Sequence, residues 1–402
     1  MQSDLIDQKW RVCMAAQGTL IAAKRRLRPP PGSEVVVGWM VVAAALYIRW
    51  SASATWNFVD LTDFYYGGVS VLEGVDVYAP RPGVLAFNYP PFAAVAFVPL
   101  GIVGLSVSKV VFTMATLVAY VVSLVAIRRA LGARWTTTIL LGAAGLALEP
   151  VVRTLVLGQI GIILMGLVLA DLYLMPARFR GVLIGLAAGI KLTPAVFVLY
   201  LVLRRDWRGT VLAITTGAAT LAVGWLAASG SSHRYWLGGF DKFDRFGDLA
   251  FSPVNQSVRS FVSRVAPEAP TGALWVAIAA SGVLAFSTAA LLGRRGNWAS
   301  VALSLAGATL LLSPISWTHH WVWVVPALVA LVHAGSRITA ALIALVFYVA
   351  PMWAVPETGP LTAGQLLFAY AYLWVAIGLL LTSAATAVSD LHRSPLSRVG
   401  AS

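Results

Sequence analysis

Apolar runs follow one another through almost the whole of this 402-residue chain. They are Val35–Trp50, Leu105–Ile127, Trp135–Leu148, Thr154–Leu174, Gly209–Ala228, Ala273–Leu292, Trp298–Leu312, Trp317–Val332, Ile338–Val355 and Ala363–Thr382. A helix needs about 20 apolar residues to cross a bilayer. Only 11% of the residues are charged and 59% are hydrophobic, against about 25% charged in an average soluble domain. Such a chain cannot wrap a core of this size in a polar shell, which excludes a soluble enzyme, a disordered protein and a nucleic-acid-binding domain. The lipid bilayer is the expected surrounding and no nucleic-acid partner is expected. The expected fold is an all-α integral membrane protein, a multi-span helical bundle with about ten transmembrane helices and long extracytoplasmic loops.

Charge orients the bundle. The net charge of +13 reads first as the Lys/Arg bias of cytoplasmic loops. Residues 1–34 carry Lys24, Arg25, Arg26 and Arg28 before the turn Pro29–Gly32, and read as a cytoplasmic tail rather than a cleaved leader. Alternating from there puts Arg128, Arg129, Arg134, Arg178, Arg180, Arg294, Arg295, Arg337, Arg393 and Arg398 inside. Arg204, Arg205 and Arg208 also fall inside if Gly181–Leu203 enters and leaves on one face, broken at Lys191-Leu-Thr-Pro194. Asp60, Asp63, Glu73, Asp76, Glu149, Asp241, Asp244, Asp248, Glu268 and Glu357, ten of the 16 acids, then fall outside. The expected organisation is a tail at 1–34, a polytopic domain at 35–384 with extracytoplasmic loops 51–104 and 229–272, and a cytoplasmic tail at 385–402. Cys13, the single cysteine, excludes an intramolecular disulfide.

The residues that suit chemistry gather toward the outer side. Asp60, soon after the first run, suits a general base for a sugar hydroxyl. Asp63 competes with it, and spacing does not separate the two. Tyr89-Pro90-Pro91-Phe92 reads as a turn and interfacial anchor, with Tyr89 able to line a sugar pocket. Gln159, polar in an apolar segment, is expected to face the bundle interior. Lys191 lies too deep in its run to reach water easily and calls for a cavity, a carboxylate or a phosphate. Asn255-Gln256-Ser257 also matches a weak glycosylation sequon, and Arg259 suits a phosphate. His319 and His320 are adjacent and so diverge by about 100° on a helix, a poor arrangement for a metal, although one of them suits a phosphate oxygen. Nothing in the set calls for a metal or an organic cofactor.

Taken in order, Asn57-Phe58-Val59-Asp60-Leu61, Tyr89-Pro90-Pro91-Phe92, Gly158-Gln159, Ile190-Lys191-Leu192-Thr193-Pro194, Ser252-Pro253 with Asn255-Gln256-Ser257, and Ser313-Pro314-Ile315-Ser316-Trp317 with His319-His320 resemble glycosyltransferase family 87. The resemblance runs from about Val35 to Ala384. It implies a GT-C-type bundle, a polyprenyl-phosphate-mannose donor, a glycolipid acceptor, and single displacement with inversion to an α-(1→2) linkage. The family's essential Asp falls on Asp60, which sets it above Asp63. The leaving phosphate then falls to His319, His320, Arg259 and Lys191, with Asn255, Gln256, Gln159, Tyr89 and Asp63 as further substrate contacts. A polyprenyl-phosphoarabinose-dependent enzyme and a lipid flippase are the competing expectations.

Overall fold

The computed structural model describes residues 33–52, 56–238, 252–268, 270–357, 359 and 361–393. The basic tail with Cys13, the acids Asp241, Asp244 and Asp248, and Arg398 lie outside them. The chain divides into two units at Ala52. The first contributes one apolar helix, Ser33–Ala52, with Arg49 in its last turn. The second begins at residue 53.

Four of its helices are long and apolar enough to cross a membrane: Leu105–Leu131, Trp207–Ala227, Thr271–Arg294 and Ala371–Ser389. The protein is thus an all-helical membrane protein among the described residues, apart from one isolated bridge between Asn255 and Trp317. Leu105–Leu131 shows how such a helix is partitioned. Val107, Val110, Met114, Val118 and Val121 are exposed, while Ser108, Phe112, Thr116, Tyr120 and Ser123 are buried. The apolar stripe faces outward and the small and polar one inward, the pattern of a helix solvated by lipid.

Ten uninterrupted spans are not present among the described residues. Trp135–Gly145 and Glu149–Leu157 make a pair bent by 61°, which raises the count to five if taken as one span. The other apolar runs break at identifiable residues. Thr154–Leu174 is interrupted at Gly158, between Glu149–Leu157 and Gly161–Tyr173. Gly181–Leu203 gives Val182–Ile190, an extended Lys191, a 3-10 turn Thr193–Phe197 and Val198–Leu203. Pro194 stops any helix running through from Val182. Trp317–Val332 begins as a 3-10 turn, Thr318–Trp323, before Val324–His333. Ala350 takes a left-handed conformation after Arg337–Val349, and Tyr370 separates Ala363–Ala369 from the last helix, which continues past residue 384 to Arg393.

The expected first loop is helical as well. It holds Val59–Glu73 and the pair Pro91–Ala96 and Val98–Val103. Phe64 stacks on Phe97 at 4.7 Å and meets the Tyr89 ring edge-on at 5.1 Å. Gly68 lets Val59–Glu73 lie on the Phe97 carbonyl, where any Cβ would collide. These aromatics join Leu61, Phe112, Ile184, Tyr200 and Leu305 in the main buried core. The Asp60 helix is therefore packed into the bundle rather than suspended over it.

Candidate active site

Asp60 occupies the first turn of Val59–Glu73. Phe58, just before it, has a left-handed backbone (φ 48°), rare for an aromatic residue. It is held there by the bond from its N–H to the Val156 carbonyl (3.0 Å) and by Thr62 Oγ1 donating to its carbonyl (2.9 Å). The partner segment ends at Gly158 with φ 71°. A Cβ on Gly158 would lie 2.5 Å from Leu61 Cβ. Glycine is needed there twice over, for its backbone and for its size. The same turn, closed by Gln159 N–H to the Thr154 carbonyl (2.8 Å), delivers Gln159 beside Asp60. Gly158→Ala is expected to cost about 1–2 kcal/mol for the backbone alone, plus the collision. A lower melting temperature in detergent and a parallel loss of activity are the readouts.

From Asp60 the polar contacts run inward. The Tyr89 hydroxyl donates to Gln159 Oε1 (3.2 Å), which leaves the Gln159 amide N–H to donate to Asp60. Lys191 Nζ lies 5.4 Å from the centre of the Tyr89 ring and 3.2 Å from His320 Nε2. The break at Lys191–Leu192 is what lets a lysine leave its helix and reach this cluster. Behind Lys191 and His320 is a cavity of about 60 Å³ bordered by Thr193, Ser313, Ser316 and Trp323. The His319 ring stands at right angles to that of His320, 4.6 Å between centroids. Asp60, Asp63, Tyr89, Gln159, Lys191, His319 and His320 are thus brought together from five separate stretches of sequence.

Burial raises the Asp60 carboxyl above the ordinary carboxylate value, and the Gln159 hydrogen bond and the charges of Lys191 and Arg153 pull it part of the way back. Asp63, one turn on and only 6% exposed, is pushed up to about 8 by burial and by the neighbouring Asp60 charge. Near neutral pH Asp63 is therefore mostly protonated and adds little negative charge beside Asp60. A carboxyl raised in this way favours folding while protonated. Its contribution is complete below about pH 3.9, the unfolded value, and is lost as pH rises through about 8. Asp63→Asn should accordingly raise the melting temperature at pH 9 by several degrees and leave it nearly unchanged at pH 4.

Asn255, Gln256 and Arg259 form a separate group. Asn255 and Gln256 are fully buried. Asn255 Oδ1 accepts from Ser316 N–H (2.8 Å), Gln256 Nε2 donates to the Pro253 and Ala369 carbonyls, and Gln256 Oε1 accepts from Tyr372 N–H (3.1 Å). Ser257 Oγ donates to the Pro314 carbonyl (3.1 Å). The Asn-Gln-Ser and Ser-Pro-Ile-Ser motifs, about sixty residues apart, clamp each other and fix the turn that carries His319 and His320. Arg259 lies half-buried on the following helix, Val258–Val265, and the cations that act on Asp60 are Lys191 and Arg153.

Two residues here were not singled out from sequence. Glu149, counted among the outward acids, is 3% exposed. It accepts from Thr318 Oγ1 (2.7 Å), Trp353 Nε1 (3.0 Å) and Tyr372 OH (3.1 Å). One turn later comes Arg153, its guanidinium 5.0 Å from the centre of the Trp353 ring. Both fall between the apolar runs Trp135–Leu148 and Thr154–Leu174, where composition gives no such signal as it does at Lys191.

A carboxylate hydrogen-bonded by an amide, with the charges of two cations acting on it, is able to serve group transfer from a charged leaving group. Comparisons with known proteins give the family. The model of glycosyltransferase family 87 matches residues 87–314. A polyprenol-phosphate-mannose-dependent α-(1-2)-phosphatidylinositol mannoside mannosyltransferase of Mycolicibacterium smegmatis is 31% identical, covering 92% of this chain and 96% of its own. The Mycobacterium tuberculosis enzyme of the same name is 29% identical over 88% and 91%. A polyprenol-phosphate-mannose-dependent α-(1-2)-phosphatidylinositol pentamannoside mannosyltransferase of M. smegmatis is 34% identical over 70% and 72%. No solved structure matches the chain. The family match over more than half of the chain, together with these relatives, establishes that the chain belongs to glycosyltransferase family 87.

Proposed function

We propose that the protein is a membrane mannosyltransferase that moves mannose from polyprenyl-phosphate-mannose to a mannose hydroxyl of a phosphatidylinositol mannoside or lipomannan, forming an α-(1→2) linkage with inversion. The names of the relatives support the donor and the acceptor class. The observation that carries the mechanism is the placing of Asp60, hydrogen-bonded by Gln159 and acted on by the charges of Lys191 and Arg153.

In this reading Asp60 takes the proton of the acceptor hydroxyl as its oxygen attacks the anomeric carbon. The bond from that carbon to the phosphate oxygen breaks on the opposite side, and its electron pair stays on the phosphate. A phosphate needs no proton to leave, so the demand is for positive charge. Lys191, held by His320, meets it. Tyr89 and Gln159 orient the base, and Asp63, mostly protonated near neutrality, adds little repelling charge.

The prenyl chain has a place to go. An apolar groove of about 500 Å³ is lined by Pro90, Phe92, Gly189, Leu192 and Trp225. Two of these adjoin Tyr89 and Lys191 in sequence, which ties the groove to the polar cluster. We assign the cluster to the extracytoplasmic face of a plasma-membrane GT-C-type bundle, with both termini cytoplasmic and the broken helices making up the balance of about ten crossings.

The test is donor choice. Purified protein supplied with equal polyprenyl-phosphomannose and polyprenyl-phosphoarabinose should yield only hexose-extended acceptor by mass spectrometry. Pentose addition would replace the donor assignment. Glycolipid movement across vesicles without any new glycosidic bond would point to a flippase and overturn the enzyme reading.

A further inference from the structure

Arg153 enters the mechanism above only through the pull of its charge on Asp60, yet its surroundings are built. Its helix is tied at both flanks to the histidine turn: Glu149 accepts from Thr318 Oγ1 (2.7 Å), and Thr154 Oγ1 donates to the His319 carbonyl (3.2 Å). Residues 149 and 153 are one turn apart and share a face. Trp353 is fixed in turn, since its Nε1 donates to Glu149 Oε1 (3.0 Å), and it offers the face of its ring to the guanidinium at 5.0 Å. A guanidinium stacked this way spends its plane and keeps the donors on its edge.

Arg153 Nε is buried without a hydrogen-bond partner, and so is Nε2 of His319. Among the described residues no carboxylate pairs with Arg153. The charge acts on Glu149, one turn away, and also on Asp60 and His319. Buried nitrogens are satisfied in folded proteins with few exceptions, and two orphans on segments joined by the Thr154–His319 bond point to an oxygen-rich anion that arrives with a ligand.

We infer that Arg153, together with His319 Nε2, binds the phosphate of the prenyl donor and holds the charge that develops on it as the sugar departs. This rests on the function proposed above. It adds a second cation to Lys191 and assigns the guanidinium to oxygens whose charge grows in the transition state, where a forked, permanently charged group acts best. The same phosphate chemistry is present in the inositol phosphodiester of the acceptor, so the test separates the two sources.

Binding of citronellyl phosphate, a short prenyl phosphate, is measured by calorimetry on the full-length protein in detergent, alongside binding of a deacylated glycerophosphoinositol mannoside. Arg153→Met keeps the packing on Trp353 and removes the charge, and Arg153→Lys keeps the charge and removes the fork. Relative to wild type, the Met variant should bind citronellyl phosphate about tenfold or more weakly and the Lys variant by an intermediate factor, with the mannoside and neutral citronellol unaffected. Melting temperatures identify any variant that fails to fold, in which case the Lys variant alone decides. Equal citronellyl phosphate binding by wild type and variant overturns the assignment, as does a loss confined to the mannoside. Failure of the wild type itself to bind citronellyl phosphate would instead overturn the prenyl-phosphate reading of the whole site.

Discussion

Asp60→Asn is expected to lower mannose transfer by about 10³-fold or more, within the range that a general base contributes. The amide is nearly the same size and can still meet Gln159, so the fold and donor binding should survive while proton acceptance is lost. The wild-type rate should rise with pH as Asp60 ionises, with a midpoint above the usual carboxylate range because burial dominates its environment. Asp63→Asn should keep that acid limb, since the limb belongs to Asp60. A rate-pH profile of the three proteins on the same membranes checks both statements. An Asp60→Asn enzyme with normal turnover would remove Asp60 from the reaction.

The second large effect belongs to Lys191. Lys191→Met should reduce kcat by about 10²–10³-fold, comparable to removing one donor from a charge-stabilising site, with a smaller change in KM for the acceptor. A further signature is specific to this geometry. The Lys191 charge holds the Asp60 carboxyl down, so without it Asp60 becomes harder to ionise and the acid limb moves to higher pH. A lysine that only anchored its helix would leave the limb in place. Lys191→Arg should rescue little, because the 3.2 Å contact to His320 Nε2 is made by a compact ammonium and a guanidinium does not fit it.

Much of this site was legible because polar residues are expensive in apolar surroundings. That argument alone singles out Lys191 and Gln159, and the structure brings both to Asp60. It passes over Glu149 and Arg153 for a definite reason. They fall between the runs Trp135–Leu148 and Thr154–Leu174, in what composition presents as a solvated connection, whereas the chain bends there within the bundle and keeps Glu149 dry. Composition also sees no dihedral angles. The breaks at Gly158, Lys191 and Tyr370 cut apolar runs without making them less apolar, which is why counting runs gives ten spans where four to five helices among the described residues have the length. Gly158 and Lys191 break their helices where the site needs a side chain turned inward. Asn255 and Gln256 show the opposite difficulty. Their polarity invites a substrate, but Ser252–Ser257 and Ser313–Trp317 have no regular structure beyond the Asn255–Trp317 bridge, and buried backbone groups without a ladder need side-chain partners. Both side chains spend their polar groups on backbone, of these segments and of the neighbouring Ala369 and Tyr372.

The reaction proposed for this protein is a single displacement at the mannose anomeric carbon, with Asp60 as base. It is tested most directly by incubating purified protein with polyprenyl-phosphomannose labelled with ¹³C at that carbon and a phosphatidylinositol mannoside, and reading the product by NMR. The account predicts one new mannose, α-linked to a 2-hydroxyl, formed by the wild type and absent with Asp60→Asn. A β-linked product, or equal product from the Asp60→Asn protein, would contradict it.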